Sequence, residues 1–400
     1  LIRKILNCSN LKISKRSFSV CELSKEHKIL QELCRNFARK ELQPIAGELD
    51  RNGNFPKEQI EKLSQLGLMG VTVGKEYGGS ELDFLALSIV VEELSRGCAS
   101  TGAIVSIHNC LYANLVDRRS SKEQKSKFLN GFATGKIGGF ALSESNAGSD
   151  VSALTTKAIK EGECWILNGT KSWVTSGIEA QAGIIFATVD TKLQHKGITA
   201  FLVDFNQEGI SRGKNETKMG IRASSTCDIH LDNVKVHESN ILGEIGEGFK
   251  VAMEQLDRAR IGIASQALGI AQVSLDTAIS YAHQRIAFGE PILNLPSVRS
   301  RLAEMSAKIE ASRLLIRKAA TEIDENKRGT KACSIAKLFS GETATFCAHN
   351  CLQILGGNGF IVDYPAERYY RDARITEIYG GVTDVQKLVI AEQLIKEYNL

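Results

Sequence analysis

Trp165-Ile166-Leu167-Asn168-Gly169-Thr170-Lys171-Ser172-Trp173-Val174-Thr175 carries the local signal on which the fold turns. Two runs rich in aromatic and β-branched residues, Trp165–Leu167 and Trp173–Thr175, flank Asn168-Gly169. That dipeptide suits a tight hairpin, because Asn and Gly tolerate the positive φ such turns need. The stretch therefore predicts a β-hairpin in the middle of the chain. Similar short runs follow at Gly183–Val189, Ile198–Asp204 and Val234–Val236, so a block of strands should fill about 135 to 240.

On both sides the period changes to that of helices. Ile29, Leu33 and Phe37 recur at i, i+4 and i+8, and Pro56 opens a second helix bearing Ile60, Leu63 and Leu66. A third runs from about Leu82 to Ser95 after a turn at Gly78-Gly79. Beyond Gly246 helical spacing returns over about 247–283, 297–326, 330–354 and 384–397, four helices with short connections that suit a bundle. The expected fold is α+β: an N-terminal all-α domain, a middle β-barrel-like domain and a C-terminal four-helix bundle, layered helix–sheet–helix. The boundaries expected are a leader over 1–23, then 24–134, 135–245 and 246–400.

Composition excludes several classes of function. With 43% hydrophobic and 24% charged residues the chain can bury a large core. No apolar run reaches the roughly 18 residues of a membrane-spanning helix. The net charge of +4 is concentrated at one end: residues 1–21 hold Arg3, Lys4, Lys12, Lys15 and Arg16 and no acid, and without those five cations the rest stands at −1. There is no broad basic field for nucleic acid. The acid-free leader, with Leu1, Ile2, Ile5, Leu6, Leu11 and Ile13 among its basic and Ser residues, fits a mitochondrial transit peptide. Arg16-Ser17-Phe18-Ser19 offers a cleavage region. Ten scattered cysteines form no CxxC pair and no metal-ligand spacing with His, so no metal site is expected and the thiols read as reduced. Cys347 and Cys351, one helical turn apart, should face a core.

Generic motifs are missing: there is no GxSxG, no HExxH and no Walker sequence. Gly356-Gly357-Asn358-Gly359 follows a helix and cannot be a strand–loop–helix phosphate cradle. The informative runs are Phe140-Ala141-Leu142-Ser143-Glu144-Ser145-Asn146-Ala147-Gly148-Ser149-Asp150, Trp173-Val174-Thr175-Ser176, Arg285-Ile286-Ala287-Phe288-Gly289, Gln353-Ile354-Leu355-Gly356-Gly357-Asn358-Gly359 and Tyr370-Arg371-Asp372-Ala373-Arg374-Ile375. In colinear order these resemble the successive flavin-contacting motifs of the acyl-CoA dehydrogenases, a likeness extending from about residue 24 to 400. Arg260–Gln272 is similar to the short-chain and short/branched-chain members.

The resemblance implies FAD, an acyl-CoA substrate, an electron-transfer flavoprotein as electron acceptor, a homotetramer and the mitochondrial matrix. It sets Trp173 against the isoalloxazine, Thr175 near N5, and Leu142 and Ser143 on the pyrimidine edge, with Phe140, Gly148, Ser149 and Val174 beside them. Arg285 and Phe288 match residues that reach the pyrophosphate and adenosine, where a guanidinium fork suits two phosphate oxygens. Gln353, Gly356 and Gly357 match a segment that meets FAD from a neighbouring subunit, and Val382 and Asp384 complete the cofactor set. Ser149, Asp257, Arg260 and Gly381 match positions along the CoA thioester.

The family base is a Glu in a Tyr-Glu-Gly-Thr segment. Here the run is Ile378-Tyr379-Gly380-Gly381-Val382-Thr383-Asp384, so Gly380 stands at the base position. Some members carry the Glu just before the Arg matched by Arg260, and that position is Ala259. Val382 replaces a Thr, Ser145-Asn146 a Pro-Gly turn and Pro296 a Gln. An engineered base removal explains Gly380 but not Val382 or Pro296, whereas natural divergence of a family member explains all three. A base could also be recruited from Glu254, Asp257, Glu377 or Asp384, with Asp257 the foremost of these carboxylates. Two functions follow as expectations: dehydrogenation of short or branched acyl-CoA, or a catalytically inactive binding or assembly protein on the same fold.

Overall fold

The computed structural model describes residues 22–399; the expected leader up to residue 21, and Leu400, lie outside the described residues. Helix α1, Lys25–Phe37, starts at the N-cap Ser24, whose Oγ accepts from the His27 N–H at 3.2 Å. It buries Leu30 and Cys34, whereas Ile29 is 40% exposed, so the buried stripe lies one residue beyond the expected one. Helices α2 (Ala46–Asn52) and α3 (Lys57–Gln65) follow, α3 opening after Pro56 and burying Ile60 and Leu63. Helix α4, Phe84–Gly97, is capped by Asp83 at 2.7 Å and buried almost all round, because α1, α5 (Ala99–Ile107) and C-terminal helices pack on it. Helices α6 (Asn114–Arg119) and α7 (Lys122–Phe128) lead into the sheet.

Seven strands make the middle sheet, a half-barrel: β1 Ile137–Ala141, β2 Lys157–Glu161, β3 Cys164–Thr175, β4 Ala180–Thr188, β5 Ile198–Asp204, β6 Ile210–Arg212 and β7 Thr226–His237. Their order is β1-β4-β2-β3-β7-β6, with β5 also on β4. The expected hairpin at Asn168-Gly169 is not there. Both residues lie inside the single long strand β3, and the chain reverses instead at Gly162 (φ +62), where β2 meets β3. Asn168-Gly169 is a bulge against β7. Gly169 has φ +152, and a Cβ there would lie 2.5 Å from Thr156 Oγ1, so close approach rather than chain reversal requires the glycine.

The C-terminal helices begin with α8, Gly248–Gln284, 37 residues long. A two-stranded ribbon, β8 (Ile286–Ala287) and β9 (Glu290–Pro291), leads to α9 (Pro296–Asp324), α10 (Thr330–Leu355), α11 (Gly357–Phe360), α12 (Ala366–Arg374) and α13 (Thr383–Glu397). Helices α8, α9 and α10 pack pairwise and α13 packs on α10; α8 also lies against α4 and α5, so the two helical parts share one core. Its mostly small-residue middle makes this possible, since a Cβ at Gly262 would meet Cys110 Sγ at 2.8 Å. Among the described residues no helix is long and apolar enough to cross a membrane. Cys347 and Cys351 are buried, and the eight described cysteines are free thiols.

Candidate functional site

The residues singled out in the sequence gather into three groups. The first spans the loop after β1 and the end of β3. The β3 backbone bulges between Lys171 and Val174, and at this irregularity Trp173 takes φ +62. A left-handed backbone costs an L-residue about 1–2 kcal/mol and persists only where its surroundings over-determine it. Here it turns the indole out of the sheet, 65% exposed, while Val174 buries its side chain in the sheet core. Thr175 pairs with Thr226 on β7.

Facing Trp173 across this edge, Leu142 is buried, Phe140 and Ser143 are half-buried, and Gly148 and Ser149 are exposed. The Ser172 N–H donates to the Ser143 carbonyl at 2.8 Å, joining the two segments. Lys171, 0% exposed, donates through Nζ to the Leu142 carbonyl at 3.1 Å and to Glu144 Oε1 at 2.7 Å. Glu144 Oε1 also accepts from the Thr156 N–H at 3.0 Å, and Oε2 accepts from the Thr155 N–H and hydroxyl, both at 2.7 Å. Burial opposes the carboxylate's charge, but Lys171 and these donors outweigh it and hold Glu144 well below the usual carboxylate range. Burial likewise pushes the Lys171 ammonium down, and Glu144 offsets only part of that.

The second group sits where α8 and α10 end. Arg285 is the C-cap of α8 and is exposed; Phe288, with φ +55, tops the β8–β9 ribbon 92% exposed. Gln353 is exposed in the last turn of α10, before Gly356 at φ +60. Asn358 Nδ2 donates to the Tyr281 hydroxyl at 2.9 Å and so ties this turn to α8. A Cβ built at Gly148, Gly356 or Gly357 would meet nothing of the chain within 4 Å. These glycines leave open approaches, which fits the close backbone contact expected of a bound FAD. The exposed indole, the arginine and the open glycines together match the demands of that cofactor.

The third group surrounds Gly380. Gly380 and Gly381 have φ +65 and +94, and both carbonyls accept from Gln386 Nε2, at 3.2 and 2.8 Å. Lys337, 1% exposed on α10, donates to the Gly381 carbonyl at 2.8 Å. Burial first and Arg260 second push its ammonium down to about 8, against a partial offset from Glu377. A Cβ on Gly380 would collide with Ile263 Cδ1 on α8, one turn beyond the buried Ala259, so the two positions at which the resemblance expects a base lie around the Ile263 side chain. The neighbouring Tyr379 hydroxyl donates to Gln266 Oε1, and Gln266 Nε2 donates to the Ala99 carbonyl at 3.1 Å. Val382 is the N-cap of α13, and Asp384 is exposed in its first turn.

Of the four carboxylates that could stand in for the base, Asp384 is exposed beside the loop and the other three are engaged elsewhere. Asp257 accepts from Arg260 at 2.6 Å and from the Thr330 hydroxyl at 2.6 Å; burial raises it and Arg260 opposes the rise. Glu254 pairs with Arg119, and Glu377 pairs with Arg374 at 2.7 Å and accepts from the Thr345 hydroxyl.

Reading the sequence alone missed Lys171, Lys337, Gln266, Tyr379 and Gln386. A buried lysine is spelled like a surface one, and only its flanking apolar residues could have hinted at burial. The Tyr370–Ile375 run proves to be a staple. Arg371 holds Asp50 at 2.6 Å, while the buried Asp372 accepts from the Ile221 N–H at 2.6 Å, joining helical and sheet parts.

Comparison with known proteins accounts for the arrangement. Residues 24–136, 139–234 and 246–395 match the models "Acyl-CoA dehydrogenase, N-terminal domain", "middle domain" and "C-terminal domain". The chain is 50% identical over 378 residues to the mitochondrial short-chain specific acyl-CoA dehydrogenase of Rattus norvegicus, covering 94% of this chain and 92% of the relative. The structure of butyryl-CoA dehydrogenase from Megasphaera elsdenii superposes with a TM-score of 0.92 at 39% identity, covering 94% of this chain and 99% of the other. A glutaryl-CoA dehydrogenase from Mycobacterium smegmatis in complex with FADH2 matches at TM-score 0.89 and 29% identity, covering 94% and 95%.

Proposed function

Because the chain belongs to the acyl-CoA dehydrogenase family, we propose that it binds FAD and short-chain or branched acyl-CoA thioesters in the mitochondrial matrix. The observation that carries this reading is the bulge that holds Trp173 outward at φ +62 beside the Leu142–Ser143 segment. Bound there, FAD supplies a hydride acceptor for the thioester β-carbon. The indole of Trp173 keeps water from that face, the Thr175 hydroxyl donates near the reacting nitrogen, and Leu142 and Ser143 donate to the pyrimidine edge. Arg285 and Phe288 reach the pyrophosphate and adenosine of FAD, and Gln353, Gly356 and Gly357 serve a neighbouring subunit's FAD in a homotetramer, which agrees with the exposure of all five. Ser149, Asp257 and Arg260 line the CoA path, and an electron-transfer flavoprotein takes the electrons.

Proton removal from the α-carbon is the weak step. Gly380 and Ala259 carry no base, Glu254, Asp257 and Glu377 are each held by partners, and Asp384 stands exposed in the first turn of α13. The Gly380 and Gly381 backbone still offers N–H groups to a thioester carbonyl, so binding outlasts turnover in this reading. The same observations favour a second reading, a catalytically inactive acyl-CoA-binding or assembly protein. Anaerobic titration of the purified flavoprotein with butyryl-CoA and branched acyl-CoAs tests both. Slow bleaching of the flavin absorbance is expected; perturbation of the spectrum without bleaching selects the inactive protein. A protein that takes up no FAD refutes the dehydrogenase reading and leaves only the inactive protein.

A further inference from the structure

We infer that the buried Glu144–Lys171 pair is a positioning device for the flavin, fixing the Leu142–Ser143 segment and the Trp173 bulge in one register; this rests on the flavin reading above. The pair is saturated. All four contacts to Glu144 come from Lys171, Thr155 and Thr156, and the remaining Lys171 contact goes to the Leu142 carbonyl. Removing two charges from water costs several kcal/mol per ion, and a buried pair often contributes no more stability than apolar side chains of the same volume. Stability alone is therefore a weak reason for an ion pair at this place.

Its location gives a better one. Lys171 is the last residue of β3 in register before the bulge, and Val174 is the first after it. Val174 is anchored by the sheet core, whereas Lys171, paired with Ile229 in the ladder, has a buried side chain that is held beneath the sheet by Glu144 and the Leu142 carbonyl. With both ends fixed, Ser172 bonds the Ser143 carbonyl and Trp173 is forced into its left-handed backbone. The same ammonium draws in the Leu142 carbonyl, which orients the following peptide and so the Ser143 N–H. Directional bonds can set that register; an apolar contact, being non-directional, cannot.

The test compares FAD affinity with stability of the flavin-free protein in three variants. Glu144→Gln removes the charge at constant shape. The double variant Glu144→Gln with Lys171→Met removes both charges. Trp165→Phe, in the sheet core of the same strand and 6% exposed, is a control that lowers stability without touching the pair. Dissociation constants are read by flavin fluorescence, stability by urea unfolding, and the flavin's reduction potential by dye titration. The expected result is at least a tenfold weaker FAD affinity in both pair variants, together with a more negative potential. Trp165→Phe should keep the affinity and potential of the unmodified chain. Pair variants that bind FAD as tightly as the unmodified chain overturn the inference alone. So does a loss of affinity that Trp165→Phe shares at equal destabilisation. An unmodified chain that binds no FAD overturns the flavin reading and this inference with it.

Discussion

Two buried lysines hold the two halves of the candidate site, and their surroundings differ in one respect. Lys171, under the Trp173 edge of β3, has a carboxylate at 2.7 Å. Lys337, under the Gly380–Gly381 loop, bonds a backbone carbonyl, has Arg260 for a neighbour, and among the described residues makes no ion pair. Burial lowers the basicity of both. The Trp173 edge is thus electrostatically complete. The loop keeps its scaffold, two positive-φ glycines and the clamps of Gln386 and Lys337, but among the described residues no carboxylate within ion-pair distance of Lys337. A carboxylate at position 380 would supply a proton acceptor and add an anion to the loop that Lys337 supports.

Gly380→Glu is the strongest way to break the contrast. General-base assistance contributes about 10²–10⁴ in rate, and at least tenfold faster flavin bleaching by butyryl-CoA is expected. The gain falls short of the full factor because the backbone at 380 is left-handed and the new Cβ must displace Ile263 Cδ1. Gly380→Glu with Ile263→Val should therefore exceed the single variant. Ala259→Glu tests the helix position, where no backbone strain arises. If the unmodified protein turns over briskly and neither Glu changes it, another base is at work and the loop is complete as it stands.

The lysines themselves sharpen the contrast through stability. Lys171→Met leaves Glu144 buried without its cation, and stranding one partner of a buried pair costs about 3–5 kcal/mol. Lys337→Met removes a charge that makes no ion pair among the described residues, and the Gly381 carbonyl keeps its bond from Gln386 at 2.8 Å. Its cost should stay within about 1 kcal/mol, with either sign. Urea unfolding of the two variants decides. Equal losses would mean that Lys337 has a partner as strong as Glu144.

None of this contrast was legible in the residues. The order of helices, strands and helices was, because periods of about 3.6 and 2 survive any tertiary detail. Ile198–Asp204 reads as a strand and is β5 without a residue's difference. Asn168-Gly169 misled because the dipeptide reports only that positive φ is cheap there. A bulge facing Thr156 uses that freedom as readily as a turn does. Trp173 stood out only by family likeness: its outward turn comes from anchors at Lys171 and Val174, which pair with residues far along the chain. The Gly380 substitution was visible, whereas Ile263 standing beside it needs the α8 register to be seen.

The smallest expected effect is a pH dependence that isolates Lys337. Its folded-state value is lowered to about 8, chiefly by burial, from an unfolded value near that of a free lysine, 10.5. Between these values the unfolded chain binds more protons than the folded one, so stability rises as pH rises through this window. The cost of holding the ammonium is thus fully present at neutral pH and is relieved above about 8. From about pH 7.5 to about pH 9 the relief should be on the order of 1 kcal/mol. Lys171 titrates in the same direction, so the unmodified chain alone cannot separate the two. The difference between the unmodified chain and Lys337→Met can, because Lys171 is common to both. That difference should grow by on the order of 1 kcal/mol in favour of the unmodified chain across the range. In Gly380→Glu the new carboxylate favours the charged ammonium, so the corresponding slope should shrink. A slope unchanged by Gly380→Glu would mean that the restored carboxylate does not reach Lys337, and the loop's missing anion would then have to be sought at another position.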